Sequence, residues 1–347
     1  MTANAAPQTA GAPQASGSAR IQRWTRLSAS FTGGFGLFIV ALAFVPVVMG
    51  AATVQDLTSL LTLVLMAAMW NALAGYGGLV SVGQQAYIGV GAYATVWFSF
   101  HGVNPYWGML LATLFCAVVA APLSYLVLRL RGAQFAIGTW VLAEAIGIYV
   151  SLDSQLGAGT GISLNALSNY GAHTREHITY WFSLGLTAFF LVMVFTLLRS
   201  RSGASLQAIR DDEGAAAAVG VRVMGGKRLL FILSSAGCGA AGALTVANIL
   251  FIQPTAIFSV NYSAYMIFMV LVGGIGTVEG PILGAIILYV IQQDFGNDGT
   301  WYLIGLGAVA MLFAVFLPRG LWGMLEARTG WRFLPVGYRV TRGSPKR

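Results

Sequence analysis

The stretch RSRSGASLQAIRDDEGAAAAVGVRVMGGKR, residues 199–228, decides the fold through what lies on either side of it. Apolar runs at 179–198 and 229–250 flank it, and each is long enough to cross a bilayer. The stretch itself holds six of the chain's nineteen Lys and Arg residues. It also holds the only run of three acids, Asp211, Asp212 and Glu213. Charge concentrated in one short loop between membrane-length segments predicts a loop that touches a soluble partner.

Composition agrees with a membrane protein. Hydrophobic residues make up 57% of the chain and charged residues 9%. Soluble domains are about 45–50% apolar and about 25% charged. The 44 glycines suit helices that pack closely in lipid. The net charge of +8 does not point to nucleic acid, because the basic residues flank apolar runs instead of forming one stripe. Headgroup attraction and topology control explain them. Cys116 and Cys238 lie inside apolar runs and read as packing residues.

The first nineteen residues are uncharged and rich in Ala, Gly, Pro, Gln, Ser and Thr. Residues 1–28 are therefore expected to form a disordered cytoplasmic tail. Arg20, Arg23 and Arg26 then precede a run, 33–50, that is longer than a signal-peptide core and reads as a retained first span. Ten apolar stretches follow the same rule: 33–50, 57–76, 86–101, 107–128, 135–152, 179–198, 229–250, 259–274, 280–293 and 301–317. The eighth and ninth are short and interrupted by Gly, so they form two half-length helices or one broken one. The predicted fold is an all-α polytopic membrane protein of about 8–10 helices with Gly-broken segments near 77–90 and 273–281. The transmembrane body is 29–317, with an outer loop at 153–178 and a basic cytoplasmic tail at 318–347.

With ten crossings and the N-terminus in the cytoplasm, eighteen of the nineteen basic residues fall on the cytoplasmic side, leaving Arg175 outside. That split follows the positive-inside rule and puts both termini and the 199–228 loop in the cytoplasm.

Within the loop, Asp211 or Asp212 suits a helix N-cap, and Glu213 favours the positive end of a helix. Ala215 to Ala218 propagate a helix at little side-chain cost. Gly220 sits where such a helix stops in the left-handed conformation. The expectation is a short docking helix, 213–219, whose small residues let another protein approach closely.

At this point the chain resembles a known family. The Glu213, Ala215, Ala216, Gly220 pattern is similar to the cytoplasmic coupling loop of ABC-importer permeases. GLVSVGQQAYIGVGAY (78–93), LRLRGAQFAIGTWVLAEA (128–145), SLQAIRDDEGAAAAVGVRV (205–223) and GGIGTVEGPILGA (273–285) together resemble branched-chain amino-acid permeases of the M type. One departure is GAGTGIS (157–163), which lacks the Asn that the family places before Gly161.

The resemblance implies a bacterial inner-membrane permease that moves branched-chain amino acids. Urea, short amides and aromatic acids are the alternatives. It implies a second permease subunit of the H type, two ABC ATPases and a soluble binding protein outside. ATP and Mg would be bound by the ATPases and no cofactor by this chain, which has no GxxxxGK[ST] loop of its own. Arg210, Asp211, Asp212, Glu213, Ala215, Ala216 and Gly220 are then the ATPase-coupling residues.

Pathway candidates come from the broken segments. Gln84 and Gln85 carry amides that are costly against lipid. Gly77 and Gly78 interrupt the apolar pattern before them, so this stretch either re-enters the membrane or makes a turn followed by a packing face that includes Gly89, Gly91 and Tyr93. Gly273, Gly274 and Gly276 break the later segment, followed by Glu279 and a GxxxG pair, Gly280 and Gly284. GGLVSV from Gly77 lines up with GGIGTV from Gly273, and matched breaks in two halves point to a transport path. Glu144 is the acid well inside a span. It must face the bundle, a wet cavity or be protonated. As a proton carrier it would support a secondary transporter. An intramembrane enzyme finds no support in the spans, which contain no Lys, no paired aspartates and a single His, His101, at the very end of 86–101. His173 and His177, four residues apart, read as a surface pair in the outer loop.

Overall fold

The computed structural model describes residues 20–22, 26–296, 299–329 and 339–341. The N-terminal stretch expected to be disordered lies almost wholly outside the described residues. Every one of the ten apolar stretches is helical. The helices are α1 (Arg26–Ala43), α2 (Val45–Val48), α3 (Ala51–Asn71), α4 (Gln85–Phe100), α5 (Pro105–Val127), α6 (Ala133–Leu152) and α7 (Ala172–Arg199). They continue as α8 (Arg201–Asp211), α9 (Glu213–Ala218), α10 (Val223–Ile249), α11 (Pro254–Ile257), α12 (Asn261–Gly273), α13 (Gly280–Phe295), α14 (Thr300–Phe316) and α15 (Gly320–Thr329). Seven of the segments described are long and apolar enough to span a membrane, and α13 is a shorter apolar helix.

Two helices form the centre. α10 has 83% of its apolar window buried and α3 has 72%, against 11% for the segment containing α14. Small residues explain the position of α10. A Cβ on Gly91 of α4 would lie 2.1 Å from the Gly239 carbonyl oxygen of α10, so the two backbones touch. Such contact supplies packing where lipid removes the hydrophobic drive for helix association.

The eighth and ninth stretches are two helices, not one. α12 and α13 form a hairpin: a Cβ on Gly284 would meet the Met269 carbonyl at 1.8 Å, and one on Gly273 would meet that of Gly280 at 1.9 Å. The GxxxG pair is therefore the face on which α13 lies against α12.

Side-chain contacts sort the connections onto two ends. At one end lie the turn after α3, the α8–α9 region, the α12–α13 turn and the start of α15. At the other end, Asn104 bonds to Tyr170, and Ile162–Ser163 pairs antiparallel with Phe251–Ile252. Gly157, Gly159 and Gly161 all have positive φ there, which shapes the GAGTGIS turn. Arg20–Gln22 pairs antiparallel with Arg339–Thr341, so a segment before α1 lies beside one after α15.

Candidate functional site

The 199–228 stretch is built from two helices where the sequence predicts one. α8 was not foreseen; α9 was, and ends at Ala218. Asp212 is its cap: the backbone there is extended, and Oδ1 accepts from the Ala215 N–H at 2.9 Å. Asp211 is turned elsewhere, onto Arg210. Glu213 meets Lys227 at 2.6 Å, tying the start of α9 to α10. Gly220 has φ +84° and ends the helix as expected. Ala216 is buried, whereas Gly214, Ala215, Ala217 and Ala218 are exposed and Val219 is 80% exposed. The outward face of α9 is thus a bare ridge of small side chains.

Behind that ridge, three segments far apart in sequence meet. α3 loosens into a π turn at Ala72–Tyr76. Arg210 of α8 donates from Nη1 to the Gly75 carbonyl at 2.8 Å. Its Nε and Nη2 both reach Asp211 Oδ1 at 3.1 Å, which fixes the guanidinium plane. Asn71 then fastens the second glycine turn: Nδ2 donates to the Thr277 carbonyl at 2.7 Å, and Oδ1 accepts from the Gly276 N–H at 2.9 Å. A Cβ on Gly75 would lie 2.3 Å from Asn71 Oδ1 and 2.7 Å from Gly276 N. Only hydrogen fits there. Gly274 has φ +133°, a conformation that side chains resist. Asn71, which no sequence motif singled out, is the clamp of this junction.

The pathway candidates fall in three places. From Gly78 to Gln84 the chain leaves regular helix and threads back between helices. The Ser81 carbonyl accepts from Trp70 Nε1 at 2.8 Å, and the Val82 N–H donates to Thr139 Oγ1 at 3.2 Å. The Val82 carbonyl is within 3.1 Å of Ser263 Oγ. Non-helical backbone survives at membrane depth when protein groups satisfy it, as Trp70 and Ser263 do here. Gln84 and Gln85 are fully buried; Gln85 Oε1 accepts from the Ser263 hydroxyl, while the Gln84 amide has no partner among the described residues. Tyr93 stacks on Phe258 with ring centroids 6.1 Å apart. Gly273 and Gly280 belong to the hairpin contact, and Glu279 immediately precedes α13.

Glu144 corrects one expectation. It does not face this chain's own bundle. The buried stripe of α6 is Phe135, Thr139, Ala143, Gly147 and Val150, and helical spacing puts Glu144 outside it. It is exposed and accepts from Trp140 Nε1 at 3.1 Å. His173 and His177 lie with ring centroids 4.0 Å apart and tilted by 42°, and no cluster of three metal-ligating side chains occurs among the described residues.

Comparison with known proteins supplies the family. The profile described as branched-chain amino acid transport system / permease component matches residues 52–317. The chain is 27% identical over 316 residues to the high-affinity branched-chain amino acid transport system permease protein LivM of Escherichia coli K12, covering 82% of this chain and 74% of that protein. The LivM of Salmonella typhimurium LT2 is 27% identical over 312 residues, covering 82% and 73%. No solved structure matches. The match runs from the start of α3 to the end of α14 and takes in both glycine turns, the Asn71–Arg210 junction and α9: the chain belongs to the branched-chain amino acid transport system permease family.

Proposed function

We propose that this chain is one permease subunit of an ATP-driven importer that moves branched-chain or related amino acids. A second, H-type permease subunit would complete the membrane part, two ATPase chains would carry ATP and Mg, and a soluble binding protein would deliver the solute. The observation that carries the reading is the exposed ridge of α9 backed by Arg210 and Asn71. A rigid, capped helix with no bulky side chains on its outer face suits a groove on another protein. Its supporting junction links it to the turns of two membrane hairpins, so displacement of α9 would be felt at Gly75 and Gly276.

The same end of the molecule carries the basic residues of 199–228 together with Arg129, Arg131 and Arg319. By the positive-inside rule that end faces the cytoplasm of a bacterial inner membrane, where ATP is. The pairing of Arg20–Gln22 with Arg339–Thr341 supports both termini lying on that side.

Co-purification tests the reading. Glu213→Lys and Gly220→Leu should each remove the ATPases from the complex while leaving this chain inserted in the membrane. Gly220→Leu acts by strain, since a left-handed non-Gly residue costs about 1–2 kcal/mol. Normal ATPase recovery with both variants would refute the docking role. Uptake of labelled leucine, isoleucine and valine by the reconstituted complex, against urea and aromatic acids, reads the substrate.

A further inference from the structure

A polar crevice opens at the end of the molecule opposite α9, between α3, α10, α12 and α13. Its volume is about 470 Å³, within the range of about 300–1,000 Å³ usual for ligand sites. Its mouth holds Asp56, which the helix includes because α3 starts at Ala51. Gln293 Nε2 lies 3.5 Å from Asp56 Oδ1 and also reaches the Tyr289 hydroxyl. Across from them, Asn248 Nδ2 donates to Ser59 Oγ at 3.0 Å. The rings of Tyr262 and Tyr265 close the α12 side. Leu63 and Met66 line the deeper part, up to about 15 Å along α3 from Asp56 at 1.5 Å per residue.

The chemistry of this lining selects one class of ligand. Asp56 is the single charged residue among those that line the crevice, and none of them is Lys or Arg. One carboxylate beside tyrosine rings attracts a cation, through charge and through the ring faces. A hard metal ion needs more oxygen ligands than one carboxylate offers here. An alkylammonium needs one carboxylate and a few acceptors, which Asp56, Tyr289 and the Asn248 carbonyl supply. The deeper Leu63 and Met66 give an aliphatic body a place away from water.

We propose that this crevice is a binding site for the primary ammonium group of a solute with a small aliphatic body, with Asp56 as its counter-ion. It rests on the amino-acid reading above, to which it adds a station on this chain itself. The carboxylate of an amino acid would meet the Asn248 amide and the tyrosine hydroxyls.

The test uses the whole importer in proteoliposomes, with Thr245→Cys as a reporter in the crevice wall. The native Cys116 and Cys238 are buried, so a maleimide reads the new thiol. Isoamylamine and L-leucine should slow the reaction about threefold, as two-thirds occupancy requires, whereas 4-methylpentanoate should not. Adding Asp56→Asn should abolish that protection. In the native-cysteine background, Asp56→Asn should lower uptake about tenfold or more while ATPase stimulation by the loaded binding protein persists. Equal protection by the carboxylate, protection that survives Asp56→Asn, or uptake within about twofold of wild type would overturn the proposal. So would a Thr245→Cys thiol that never reacts, since the crevice would then be sealed by another protein. If the wild-type importer takes up no branched-chain amino acid while isoamylamine still protects, the transport reading fails and the ammonium site stands.

Discussion

Asn71 uses both ends of one amide to hold a turn 205 residues away in sequence. Replacing it with Leu keeps the approximate volume and strands the Gly276 N–H and the Thr277 carbonyl. A buried polar group left unpaired costs about 1–3 kcal/mol, so Asn71→Leu should lower the unfolding midpoint of the detergent-solubilised chain clearly. Gly75→Ala should do the same by another route, because its methyl would press on Asn71 Oδ1 and on Gly276 N. Overpacking of this kind costs about 1–3 kcal/mol. The two effects share a clash. Gly75→Ala combined with Asn71→Ala should therefore cost less than the sum of the single changes in a thermal-melt cycle, and strict additivity would show that the two residues do not meet.

Among the elements, α9 depends on the fewest residues. Asp212→Ala removes the acceptor for the Ala215 N–H and should cost about 1 kcal/mol of local helix stability. Amide exchange across 213–219 should accelerate while α3 and α10 keep their protection. The Glu213–Lys227 pair allows a second prediction: Glu213→Lys sets two cations against each other, and Lys227→Glu should restore ATPase recovery if the pair acts by seating α9. Failure of that rescue would mean that Glu213 is read directly by the ATPase. Most of α9 was legible in the sequence because its signals are local: an acid cap, four alanines and a glycine stop. α8 was not, because SGAS carries weak helix propensity and its order comes from Leu206 and Ile209, which are buried. The partners of Arg210 and Asn71 were hidden for a different reason, since nothing local marks a contact across 135 or 206 residues. Asp56 was cut from its span because a charge ends an apolar run, although a helix does not stop at one. The Gly breaks were visible, but not that the first runs extended for several residues while the second closes at once into a hairpin.

At the scale of the whole molecule, the exposed side of α6 is the unsettled surface of a single chain. Glu144 lies there among Ile137, Val141 and Ile148, all exposed. A carboxylate facing lipid at mid-span costs about 2.5–3.5 kcal/mol on insertion scales, which a neighbouring protein would relieve. Glu144→Leu touches only the Trp140 bond within this chain. Its thermal stability should stay within about 0.5 kcal/mol of wild type, while recovery of the second permease subunit should fall; unchanged recovery would place Glu144 against lipid. Distances within the bundle also bear on how the ATPase end could move it. Arg210 joins α8 to the membrane hairpins through one hydrogen bond to Gly75, with no side chain on Gly75 or Gly276 to interlock with it. Such a joint resists pull along the bond and offers little resistance to torque. Leu206 and Ile209 carry that torque instead: both are buried and both lie against Gly226 of α10, so turning α8 loads the base of α10 before it strains the bond to Gly75.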